Sequence, residues 1–89
     1  MTRTDEEKKA LFAKWDRVGG YLRTALSTLK NPEKEEVEKI EEWLEHNELG
    51  LAYEDLIELR KTCSAENVFD ENMELVAKEM ELKYERPSS

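Results

Sequence analysis

Glu35, Glu38, Glu42 and Glu45 follow one another at spacings of three, four and three residues, the repeat of a helix face. On a helix they gather into a column of carboxylates one turn apart. Such a column could hold a metal, work as an acid and base pair, imitate phosphates toward a cationic protein, or serve as a solvated face. The metal version in a helical bundle needs Glu-x-x-His motifs with inward-facing carboxylates. This chain has one histidine, His46, and its glutamates lie beside the apolar stripe rather than on it. No Asp-rich calcium loop is present. Nucleophilic catalysis needs a base held against the nucleophile, and His46 sits at a polar helix end among glutamates. Cys63 continues an apolar stripe and reads as a core thiol rather than a reactive one. The reading is therefore non-enzymatic, with no catalytic residue, metal or cofactor.

The acidity is local. Residues 31–58 hold eleven carboxylates against two lysines, a net −9, whereas the other sixty-one residues hold twelve basic and eleven acidic groups, a net +1. Beyond the column, the same window contains Glu48, Glu54 and Glu58, the last two pointing away from the next apolar stripe, with Asp55 nearer its edge. Repulsion between like charges four apart on a helix is only ~0.2 to 0.5 kcal/mol per pair, so solubility alone could tolerate it. Segregation is the counter-argument, because the other helices interleave Lys and Arg with their acids. Trp43 lies about 90° from the centre of the Val37/Ile40/Leu44 stripe, either as a core edge or as a partly exposed aromatic of the kind enriched in interface hot spots. The candidate partner-binding set is Glu35, Glu38, Glu42, Trp43, Glu45, Glu48, Glu54 and Glu58.

Eighty-nine residues make one domain with a single modest core, expected over 1–86, with 87–89 as a disordered tail. A net charge of −8 argues against nucleic acid and anionic membranes, both of which reward clustered Lys and Arg, and for a basic protein partner. A lone cysteine cannot close an intramolecular disulfide, and the N-terminus lacks the basic-then-apolar order of a signal peptide. No run approaches the ~20 apolar residues that span a bilayer, so a cytoplasmic protein is expected.

Three glycines and two prolines leave an all-α bundle of three to four helices as the fold class. Thr4 is a candidate cap for the first helix, with Asp5, Glu6 and Glu7 at the positive end of its dipole. Leu11, Trp15, Val18, Leu22, Ala25 and Leu29 then keep a heptad seam. The seam survives Gly19-Gly20, which predicts one long helix, with a kink or a helix-loop-helix break there as alternatives. Asn31-Pro32 predicts the start of the second helix. A corner at Asn47 or Glu48 leads to a third helix striped by Leu49, Ala52, Leu56, Leu59 and Cys63. Asp70 is the expected cap of the last, lined by Met73, Val76, Ala77, Met80 and Tyr84. Leu75 and Leu82 fall opposite that line, so either the helix is covered on two faces or they form an exposed strip that invites a homodimer.

Glu48, Leu49, Gly50, Leu51, Ala52, Glu54 and Leu56 resemble the central segment of MafI-like small helical immunity proteins of bacterial polymorphic toxin systems. In that family a helix ends in a polar residue followed by Glu-Leu/Trp-Gly-Leu-Ala and a second helix. The resemblance covers about half of the chain and implies binding and neutralisation of a cognate, often nuclease-type, toxin. It supplies no toxin-contacting positions, so the acidic set rests on charge alone. A self-associating helical adaptor is the alternative.

Overall fold

Val18, Leu22 and Ala25 are completely buried and run down one side of α1 (Asp5–Ser27), where the heptad seam places them. The computed structural model describes residues 5–85, with side chains from residue 9. The Thr4 cap and the 87–89 tail lie outside the described residues. Among these residues the chain forms α1, the two-residue strand β1 (Leu29–Lys30), α2 (Lys34–Glu45), α3 (Leu49–Arg60), the strand β2 (Ser64–Ala65) and α4 (Asn67–Met80). The fold is a small all-α bundle. α1 packs most extensively on α4, and α2 on α3.

α1 runs unbroken through Gly19 and Gly20, which removes the helix-loop-helix alternative. Neither glycine has positive φ, and a Cβ would meet nothing within 4 Å at Gly20 and only Leu49 Cδ2 at 4.0 Å at Gly19. Neither backbone conformation nor space therefore demands glycine, although each costs a helix interior ~1 kcal/mol relative to Ala. The seam is buried from Val18 onward, but Trp15 is 37% exposed and Leu11 only half-buried. Twenty-three residues make α1 about 34 Å long, whereas the twelve residues of α2 or α3 span about 18 Å. The first turns of α1 thus outrun the core. Leu29 is buried in β1 rather than on the helix.

Further helix boundaries differ from expectation. α2 begins at Lys34 with Glu33 in the capping position, not at Asn31-Pro32. Leu29 and Lys30 pair antiparallel with Ala65 and Ser64, and Asn31 turns the chain out of that ladder at φ 52°, a left-handed conformation that Asn tolerates better than most residues. α4 begins at Asn67 with Glu66 in the capping position, so Asp70 lies inside the helix rather than before it. The cause is Phe69, completely buried, which draws that first turn into the core. α4 stops at Met80, because Glu81 turns left-handed at φ 57°. The amide of Leu82 then donates to the Ala77 carbonyl at 2.7 Å and that of Glu81 to Lys78 at 3.4 Å, the paired bonds of a Schellman cap. Leu75 and Leu82 are both exposed, but the cap parts them, so they form no helical strip.

The chain after that cap folds back. Tyr84 donates its hydroxyl to Asp70 Oδ1 at 2.7 Å, and its ring meets Tyr53 edge-on at 6.4 Å between centroids. Asp70 is only 8% exposed, and this bond provides for its buried carboxylate. Burial, then the hydrogen bond to Asp70 and its charge, push the Tyr84 hydroxyl well above the usual tyrosine pKa. Burial alone raises Tyr53. Arg60 ties the end of α3 to the following turn through Nη1 to the Cys63 carbonyl at 2.8 Å, with its guanidinium over the Phe69 ring. Cys63 itself lies past the end of α3 and is half-buried, so it is a boundary thiol packed against the core rather than a member of the α3 stripe.

Candidate functional site

Ile40 and Leu44 are buried and Val37 half-buried, so the predicted stripe of α2 is the side it turns inward. Its two flanks are occupied by different neighbours. On one, Val37 and Glu41 border a cleft with Arg23 and Leu26 of α1. On the other, Trp43 Nε1 donates to Asp55 Oδ2 of α3 at 2.7 Å, and Lys39 Nζ lies 3.7 Å from the same oxygen. The remaining side carries Glu35, Glu38, Glu42 and Glu45, and all four are exposed. The column faces solvent because α1 and α3 take both flanks.

Glu54 and Glu58 are likewise exposed on the outward side of α3, and Leu51, three residues before Glu54, is 41% exposed beside them. The outward sides of α2 and α3 meet along the seam where Trp43 and Lys39 reach Asp55. Trp43 is half-buried, so both readings of it hold in part: its ring edges the core while its N–H is committed to the seam. Two lysines temper the charge at the margins, Lys34 at 3.9 Å from Glu38 and Lys61 at 2.9 Å from Glu58. Both pairs are exposed and contribute little to stability.

Glu48 stands apart from this face. It follows Asn47, whose φ of 58° turns the corner between α2 and α3, and its amide donates to the Trp43 carbonyl at 2.8 Å. Its surroundings are a groove shared with Lys14 and Trp15 of α1. The corner therefore depends on Asn47 for its left-handed residue. Gly50, inside α3, has no positive φ, and a Cβ there would meet open space.

Sequence reasoning missed Glu33 and Glu36, which line a shallow hollow of about 250 Å³ together with Glu58, Leu59 and Thr62. Antiparallel packing of α2 on α3 brings the start of one beside the end of the other, which no spacing within α2 reveals. Leu51 was discoverable, since it falls off the stripe formed by Leu49, Ala52, Leu56 and Leu59. Asp55 is half-buried at the edge of the α3 stripe, as expected, and accepts the Trp43 N–H across the seam. His46 is exposed at the end of α2. Among the described residues no group of three or more His, Cys, Asp or Glu is placed to hold a metal ion, and no helix is long and apolar enough to cross a membrane. What remains is a broad carboxylate surface with an aromatic and an aliphatic side chain set into it.

Comparison with known protein families, curated proteins and solved structures finds no match to this chain.

Proposed function

We propose that this protein is an immunity protein that binds and neutralises a basic, nuclease-type toxin through the outward face of α2 and α3. The observation that carries the reading is the segregation of charge on that face. Glu35, Glu38, Glu42 and Glu45 point to solvent from one helix and Glu54 and Glu58 from its neighbour, across a seam where Asp55 holds Trp43. A nuclease cleft built for phosphate is cationic, and an opposing carboxylate surface speeds encounter and rejects neutral or acidic proteins. Trp43 and Leu51 supply the apolar centre that such a surface needs to hold its partner once it has arrived. The corner's resemblance to MafI-like immunity proteins agrees with this reading.

The test is the combined replacement of Glu38, Glu42 and Glu45 by Lys. All three are exposed, so the variant should keep its helical circular dichroism. Binding to a cognate basic toxin domain should be lost. Undiminished affinity in a folded variant would sink the assignment of this face.

A further inference from the structure

Phe12 is 60% exposed and stacks edge-on against Trp15, with ring centroids 5.6 Å apart, on the part of α1 that outruns the bundle. In a monomer water meets the Phe12 ring directly, with Trp15 partly exposed beside it. Beside Trp15 lies a groove of about 510 Å³, with Trp15, Leu49 and Met80 as its apolar lining. A second hollow continues it along α1 past Gly19 and Gly20, again sharing Trp15 and Leu49. The two walls differ in charge. Lys14 stands on the α1 wall and Glu48 on the corner wall, and neither makes an ion pair among the described residues.

We propose that this groove is the contact surface of a homodimer, in which the overhanging turns of α1 from one copy lie in the groove of the other. The charge of the walls selects a second copy as the occupant. An isologous interface brings each surface against itself turned through a two-fold axis, so a groove with one positive and one negative wall meets its own complement. Lys14 of each copy then faces Glu48 of the other, and Phe12 of each enters the hollow beside the other's Trp15. The surrounding charges fit as well. Residues 5–30 carry six basic groups and four acidic, a net +2, opposite in sign to the −9 of residues 31–58. The overhang also gains a reason, because a helix end without tertiary packing is marginal in water. The proposal does not depend on the toxin reading, since the outward α2 column is not part of the groove.

Sedimentation equilibrium of the full chain tests it, with far-UV circular dichroism confirming the fold of each variant. Wild-type protein should show a reversible monomer–dimer equilibrium, and Phe12→Asp, an exposed position, should abolish it. Lys14→Glu and Glu48→Lys should each weaken the dimer about tenfold, since each change breaks the pair twice. The double variant Lys14→Glu with Glu48→Lys should recover the dimer, because the walls are then exchanged. A wild-type chain that stays monomeric at the highest attainable concentration overturns the proposal. So do single charge variants that dimerise as well as wild type, and a folded double variant that fails to recover. Loss of toxin binding in these variants while the wild type remains a monomer would assign the groove to the toxin instead.

Discussion

The indole N–H of Trp43 and the Asp55 carboxylate are joined at 2.7 Å, which fixes an aromatic ring of α2 against α3 at the centre of the acidic surface. The bond uses the tryptophan's only donor and sets its orientation before any partner arrives. An anchor held in this way loses less conformational freedom on binding.

Replacing Asp55 by Ala should cost about 1 kcal/mol of stability, the net worth of a typical intramolecular hydrogen bond. In a Trp15→Phe background, where Trp43 is the sole fluorophore of its kind, the same change should shift emission to longer wavelength as the ring loosens into water. Denaturant melts and emission spectra report the two effects separately. Unchanged emission would mean that the ring is held by packing alone.

Association with a basic toxin should be sensitive to salt. The carboxylates of the α2 column are exposed, and the screening length shortens from about 10 Å at 0.1 M to about 3 Å at 1 M ionic strength. Stopped-flow association rates should fall steeply over that range while dissociation rates change little. A rate indifferent to salt would place recognition elsewhere on the molecule.

Tyr84 predicts a loss of stability at high pH. Its hydroxyl titrates higher in the folded protein than the ordinary value of about 10, so above that pH the unfolded chain releases a proton that the folded one retains. The folded state then binds more protons, and stability falls as pH rises through this window, while below about 10 the contribution is fully present. Burial of Tyr53 acts in the same direction. Thermal melts between pH 8 and 11, on the order of that window, should show a shallower decline for Tyr84→Phe than for wild type. At neutral pH the same variant should be less stable by about 1 to 3 kcal/mol, since it removes the donor to a buried carboxylate.

Glu81 holds a left-handed conformation that residues other than Gly and Asn rarely adopt, at the turn that ends α4. Glu81→Gly should therefore raise stability by about 0.5 to 1 kcal/mol, visible as a rise of several degrees in Tm by calorimetry. The end of α2 uses the same pair of cap bonds with Asn47 in that place. There, Asn47→Ala should destabilise.

Helix identity and inward stripes were legible in the sequence because each rests on a local period: Val18, Leu22 and Ala25 in α1, Ile40 and Leu44 in α2, Met73 and Val76 in α4 are all buried as their spacing requires. Boundaries were less so. Asn31 before Pro32 is a strong local start signal, yet pairing of Leu29 and Lys30 with residues more than thirty positions onward displaced the start to Lys34. Asp70 looks like a cap until the partner fourteen residues further on, Tyr84, makes it a buried acceptor. In the candidate site the exposure of the column followed from its angle to the stripe. The role of Asp55 and the meeting of Glu36 with Glu58 did not, since both depend on how α2 lies against α3.

The ladder of Leu29 with Ala65 and Lys30 with Ser64 brings together the two points where the chain leaves and re-enters the α1–α4 pair, roughly 5 Å apart across an antiparallel rung. Residues 31–63 are thereby a cassette, closed at its base and inserted between two helices that pack on each other. Ile40, Leu44, Leu49, Ala52, Tyr53, Leu56 and Leu59 are its buried side chains. Its outward carboxylates contribute little to the core they cover, so that surface can be rewritten with the α1–α4 framework left as it is.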